Sequence, residues 1–307
     1  FHNELGLPKD PRMMDRTEAV ELLEAEFPRF GLNHYRNLYD PTQIIADMLA
    51  AISRAKDEVV DDARYAELAE GMLVRAATPE EREAAERAGE VARVYAAYEG
   101  LKRQVHCVDF GDLVSMPVRL FERDAEIRTH LQAQYDHVLV DEYQDVNRSS
   151  VRLITALRSD GRNLWVVGDA KQSIYRFRGA SSFNMTRFGT SDFAGGVRGR
   201  LKRNYRSVDE VVQAFSAFAT RMKAGDQDSG LESERGESGI SPELRTVDQS
   251  PQQTVALADA IEEMRQAGHA YRDQAVLCTG NEKLSELGQD LERLGVPVLF
   301  LGSLFER

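Results

Sequence analysis

Val138-Leu139-Val140-Asp141-Glu142 and Leu164-Trp165-Val166-Val167-Gly168-Asp169 are the two stretches on which the fold turns. Each opens with a short, largely β-branched apolar run without polar alternation. That pattern predicts a strand buried on both faces, in a parallel sheet with helices packed around it. Each run then ends abruptly in carboxylates, Asp141-Glu142 in the first and Asp169 in the second. In open α/β sheets ligands bind beyond the carboxyl ends of the strands. The two runs therefore predict an α/β fold with a site where neighbouring strands end.

Upstream, residues 12 to about 105 are charged and helical in texture. Thr78-Pro79-Glu80-Glu81 predicts a helix start, with Thr78 as cap, Pro79 in the first turn and Glu81 completing a capping box. Val91, Val94, Tyr95, Tyr98 and Leu101 then recur at three- and four-residue spacing and predict one core-facing stripe. Downstream, Lys223 to Pro242 is rich in Gly, Ser, Asp and Glu and predicts a flexible linker. Beyond it, helix (251–267), strand (Ala275–Cys278), helix (282–294) and strand (Val298–Leu301) are expected, a second α/β unit. The expected domains are 1–107 (helical), 108–222 (the strand-end site), 223–242 (linker) and 243–307 (the start of the second unit).

The chain has 307 residues, enough for about two domains. No apolar run approaches the ~18 residues of a membrane span. Cys107 and Cys278 are too few for a disulfide framework or a zinc cluster and point to the cytoplasm. Residue 1 is Phe and no signal-peptide pattern follows, which suggests a piece of a longer chain. The net charge of −12 argues against nonspecific coating of nucleic acid. A local basic track, Arg198, Arg200, Lys202, Arg203 and Arg206, leaves room for phosphate contacts; alone, it reads first as a solvated loop.

Two stretches carry candidate chemistry. Adjacent carboxylates such as Asp141 and Glu142 at a strand exit can divide labour, one holding Mg²⁺ and the other polarising a water for attack on a phosphate. The plain alternative is a pair of helix-start acids favoured by the dipole. The stretch Gly168-Asp169-Ala170-Lys171-Gln172-Ser173-Ile174-Tyr175-Arg176-Phe177-Arg178-Gly179-Ala180 adds neutral hydrogen-bonding groups at Gln172 and Ser173. It also interleaves Tyr175 and Phe177 with Arg176 and Arg178, an arrangement suited to single strands, where bases stack and guanidinium groups meet phosphates. Its plain alternative is an ordinary turn with Phe177 in the core.

Asp141–Asp145 with Asn147, Gly168–Ala180 and Leu201–Ser207 resemble, in order and spacing, motifs II, III and IV of the UvrD/Rep helicases of superfamily 1. Phe1-His2, Val108–Leu113 and Phe305–Arg307 are similar to three further family segments. The resemblance implies a P-loop-NTPase-like (RecA-like) parallel sheet, a helical insertion and the start of a second RecA-like domain. It implies Mg²⁺ at Asp141, water activation by Glu142, γ-phosphate sensing by Gln144 and Gln172, adenine stacking on Tyr205 and a γ-phosphate contact from Arg206. It also implies DNA contacts from Phe177, Arg178, Tyr175 and His2.

Val146 and Ser150 depart from the family's usual Thr and Gln, and the Lys171–Ala180 wording is closer to helicase-nuclease subunits of the RecB/AddA type. The P-loop is expected upstream of Phe1 and motifs V and VI beyond Arg307, so the fragment alone is expected to be inactive. The implied whole is an ATP- and Mg²⁺-dependent translocase on single-stranded DNA and single/double-strand junctions in replication, repair or recombination, with a helicase-nuclease subunit as a possible partner. The competing expectation is a catalytically dead scaffold that binds DNA or a protein. A metal-dependent nuclease using Asp141, Glu142 and Asp169 is a weaker third.

Overall fold

The computed structural model describes residues 1–35, 41–175, 183–222 and 230–300. Strand β1 (Arg12–Met13) leads into α1 (Arg16–Glu24), which Asp15 opens with a capping box through Glu18. Helices α2 (Pro41–Asp57), α3 (Asp62–Arg75) and α4 (Pro79–Gln104) follow. As the sequence predicts, Thr78 caps α4 and the Glu81 side chain returns to the Thr78 N–H. The α4 stripe is buried at Val91, Val94, Tyr95 and Tyr98, with Leu101 partly buried beside it. It packs on Leu23 of α1 and on Ile45, Met48 and Ile52 of α2. Strand β2 (Cys107–Val108) pairs in parallel with β1, and Cys107 is buried in this core.

Helices α5 (Asp112–Arg123) and α6 (Ala125–Gln132) lead to β3 (Val138–Val140), α7 (Arg148–Leu157) and β4 (Leu164–Val166). β3 and β4 are parallel, with Val138 opposite Leu164 and Val140 opposite Val166, so α7 is the crossover of a βαβ unit. Successive side chains of a strand point to opposite faces. Val140, Leu164 and Val166 pack on Tyr143, Val151 and Ile154. The other face corrects the expectation of burial on both sides: Leu139 is 76% exposed and Trp165 66%, because none of the described helices covers it.

Helix α8 (Phe183–Arg187), β5 (Arg203–Asn204), α9 (Asp209–Ala219), β6 (Glu232–Ser233), α10 (Ser250–Gln266) and α11 (Asn281–Arg293) complete the order. The chain divides into two compact units: one of Phe1–Arg203 with Phe215–Leu231, and one of Asn204–Ala214 with the residues from Glu232 on. In the second, α10 and α11 fall where helices were expected. The strands expected at Ala275–Cys278 and Val298–Leu301 are not formed among the described residues. A strand needs a ladder partner, and Leu277 and Leu299 stand instead in solvent. Cys278 is half-buried. Residues 232–239 are held by Glu234 N–H to the Asn204 carbonyl (2.9 Å) and by Ser238 and Gly239 N–H groups to the Glu210 carboxylate.

Candidate functional site

β3 ends by delivering Asp141 and Glu142 to a sharp turn. Glu142 adopts a left-handed backbone, φ 51° and ψ 42°, a conformation that costs a residue with a Cβ roughly 1–2 kcal/mol. The turn sends alternate pairs in opposite directions. Asp141 and Glu142 are exposed, while Tyr143 and Gln144 are buried. The Glu142 N–H donates to Asp141 Oδ1 at 2.9 Å. The Tyr143 ring meets Phe188 edge-on, and burial, with Asp192 nearby, pushes its phenol up to about 12.

Gln144 ties the two strand ends together. Its Nε2 donates to Glu142 Oε2 at 2.6 Å and to Asp145 Oδ2 at 3.3 Å, and its Oε1 accepts the Asp169 N–H at 2.9 Å. Asp169 in turn accepts from Gln172 Nε2 at 3.1 Å, and Ser173 Oγ donates to the Gln144 carbonyl at 3.2 Å. Glu142, Gln144, Asp169 and Gln172 thus form one hydrogen-bonded line across the ends of two parallel strands. Gly168 is needed for it: a Cβ there would lie 2.6 Å from Gln144 Oε1 and 3.1 Å from the Gln144 nitrogen. Gln144, 1% exposed, is a strut inside the turn, and Gln172 is the exposed amide of the two.

The turn is anchored downstream. Asn147 caps α7, its Oδ1 accepting from the Ser150 N–H (3.0 Å) and from the hydroxyls of Ser149 and Ser150. Asn184 Nδ2 donates to the Val146 carbonyl at 2.8 Å, and Arg148 pairs with Asp192 at 2.9 Å.

Tyr205 and Arg206 lie in the second unit. Asn204 Oδ1 accepts both the Arg206 N–H (2.9 Å) and the Ser207 N–H (2.8 Å), closing a turn that leaves both side chains exposed. His2 is half-buried in an N-terminal turn, and Tyr175 is exposed. Phe177 and Arg178 lie outside the described residues, as does Phe305–Arg307. In the basic track, Arg198, exposed, donates to the carbonyls of Thr186 and Phe188.

A second acidic cluster has a different character. Glu99, Asp109 and Asp112 bring their oxygens together closely enough for a metal ion, but two ammonium groups already fill the space. Lys56 Nζ lies 2.6 Å from Asp109 and from Asp112 and 2.8 Å from Glu99. Lys102 Nζ lies 2.5 Å from Asp112, 3.0 Å from Asp109 and 2.8 Å from Glu99. Burial alone would discharge these groups. It opposes the charge on Asp109, yet Lys56 and Lys102 hold that carboxyl well below its usual range, and the three acids together hold the Lys56 ammonium far above its own.

Asp141 fits a divalent cation better. It offers an exposed hard oxygen, and Mg²⁺ is commonly held by one or two carboxylates, waters and substrate phosphates. No helix among the described residues is long and apolar enough to cross a membrane.

The UvrD/REP helicase N-terminal domain matches residues 2–193, and the UvrD-like helicase C-terminal domain matches residues 200–307. The ATP-dependent DNA helicase PcrA of Leuconostoc citreum is 28% identical over 299 residues, covering 97% of this chain and 37% of that protein. The ATP-dependent DNA helicase UvrD1 of Mycobacterium leprae is 30% identical over 308 residues, again 97% and 37%. PcrA of Bacillus subtilis is 30% identical over 214 residues, covering 68% of this chain and 26% of that protein. The matches therefore span from about a quarter to little more than a third of the length of these curated relatives. With both domain matches running in order along nearly every residue, this chain belongs to the UvrD/Rep helicase family.

Proposed function

We propose that this chain is the central part of an ATP-driven translocase on single-stranded DNA, with β3 and β4 belonging to a RecA-like domain. Residues 1–107 would form its helical insertion, 108–222 the part of that domain bearing the site, 223–242 the connecting segment, and 243–307 the start of a second RecA-like domain. The supporting observation is the line Glu142–Gln144–Asp169–Gln172 across two parallel strand ends. It leaves one carboxylate pair and one amide facing solvent, which is what a phosphate and an attacking water require. Glu142 takes the proton of that water, and Asp141 is the residue that would hold Mg²⁺. The ion, when bound, offsets charge on the phosphate oxygens. Gln172 meets the terminal phosphate, and Gln144 passes its position to the adjacent strand end. Tyr205 stacks on the adenine and Arg206 reaches the γ-phosphate; Phe177, Arg178, Tyr175 and His2 contact the DNA strand.

Glu142→Gln in the full-length protein tests the reading. General-base catalysis contributes about 10²–10⁴-fold, so ATP turnover falls at least about a hundredfold while ATP binding is retained. Undiminished turnover would sink the assignment of Glu142. A full-length wild type that binds DNA and never turns ATP over would favour the scaffold instead.

A further inference from the structure

Three consecutive residues at the end of α2 reach three different parts of the first unit. Lys56 enters the buried cluster with Glu99, Asp109 and Asp112. Asp57 Oδ1 accepts a hydrogen bond from Asn147 Nδ2 at 2.6 Å, across 90 residues of sequence. The Glu58 carbonyl accepts from Arg152 Nη1 at 3.1 Å, and Arg152 also forks onto both oxygens of Glu122. The end of a helix in the N-terminal bundle is thereby fastened to α7, the helix that opens directly after the Asp141–Asp145 turn.

We infer that Asp57 is a positioning residue for that turn, acting through Asn147. This inference rests on the reading of the turn as the hydrolytic site. The carboxamide of Asn147 has two unlike ends, and both are engaged. Its oxygen caps α7 through Ser150, while its amino group is taken by Asp57. Turning the amide over would press its oxygen against a carboxylate and aim its donors at the α7 N–H groups. Asp57 therefore sets which way Asn147 faces, and so where the first turn of α7 begins. Val146 and Asp145 precede that turn directly, and Asp145 receives the same Gln144 amide that holds Glu142. A shift at Asn147 is passed to the Glu142 carboxylate through this short connected path. Asp57 is kept at some cost: burial first, then the neighbouring Glu58, push its carboxyl up to about 6 against the lowering effect of the Asn147 bond.

The test compares Asp57→Ala with Asp57→Asn in the full-length protein, reading steady-state ATP turnover with saturating single-stranded DNA. Asn keeps an acceptor oxygen for Asn147, and Ala does not. Misplacing a reacting group by about 1 Å can cost up to about a hundredfold, so Asp57→Ala lowers kcat about tenfold and leaves KM for ATP within about twofold. Asp57→Asn keeps at least about half of the wild-type kcat. An unchanged kcat in Asp57→Ala, or an equal loss in both variants, overturns the inference.

Should Asp57→Ala fail to fold, Asn147→Ser decides. A serine still caps α7 but offers no amide to Asp57, and the same selective loss of kcat is expected; wild-type kcat overturns. A wild type without any ATP turnover defeats the reading of the site, and the inference falls with it. A working wild type with an indifferent Asp57 defeats the inference alone.

Discussion

Glu99, Asp109 and Asp112 meet in the interior of the first unit with two ammonium groups between them, whereas Asp141 and Glu142 stand in solvent. Among the described residues no cation pairs with either Asp141 or Glu142. Both clusters concentrate negative charge, and in both at least two of the acids follow a short strand, Asp109 and Asp112 after β2 and Asp141 and Glu142 after β3. The difference lies in who supplies the counter-charge. In the first, Lys56 and Lys102 are built into α2 and α4 and set two positive charges among three acids. In the second, the hydrogen bonds come from the Gln144 amide and from one backbone N–H, that of Glu142, which orient carboxylates without neutralising them. Proximity of acids is therefore a poor guide to a ligand site; acids held in place yet left unneutralised are a better one.

The largest expected effect on stability separates the two clusters at once. Asp112→Ala removes a carboxylate shared by two buried ammonium groups. Breaking such a cluster costs about 3–5 kcal/mol, read from denaturant unfolding of the chain. A loss below about 1 kcal/mol would mean that water reaches the lysines and that the contrast is one of degree.

Gly168→Ala sharpens the comparison from the other side. The added methyl must displace Gln144 from the line it makes between Glu142 and Asp169, at about 1–3 kcal/mol. Wild-type stability in that variant would show that the strand ends are not tied as tightly as their hydrogen bonds imply.

The smallest effect is a null one. Asp109 is depressed, so its stabilisation is full above the ordinary aspartate value of about 3.9 and fades only as pH falls below it. Lys56 is raised, so its share is full below about 10.4 and fades only as pH rises beyond it. The stability difference between wild type and Asp109→Asn is expected to be the same at pH 5 and pH 8. A difference that changes between them would place one of the buried groups in the wrong charge state.

What could be read from the sequence was what short-range forces decide. The capping box at Thr78 and Glu81 and the stripe from Val91 to Leu101 depend on neighbours three and four residues away, and both formed as expected. The strands at Val138 and Leu164, and their parallel pairing, were legible from apolar runs without polar alternation. Lys56 gave no signal, because its partners Asp109 and Asp112 lie more than fifty residues downstream. Asp57 and Asn147 were hidden for the same reason. Asn147 stands in a motif of the sequence, but its two-sided engagement is a property of the folded chain. The expected strands at Ala275 and Val298 failed because an apolar run supplies the residues of a strand and cannot supply the strand beside it. The family resemblance gives Gln144 and Gln172 the same phosphate-sensing role. A left-handed residue at Glu142 separated them by turning the first inward.

The open face of the β3–β4 pair has a spectroscopic consequence. Trp165, the single tryptophan of the 307 residues, sits on that face, 66% exposed. Opposite it in register stands Leu139, the residue two places before Asp141. The tryptophan emission of this chain is therefore the signal of one indole in water, red-emitting and open to quenchers, three residues from the Gly168 that the strut at Gln144 requires. Any segment or molecule that covers this face moves the emission to the blue and shields it, so the chain carries its own optical gauge of whether the sheet beneath the site is covered.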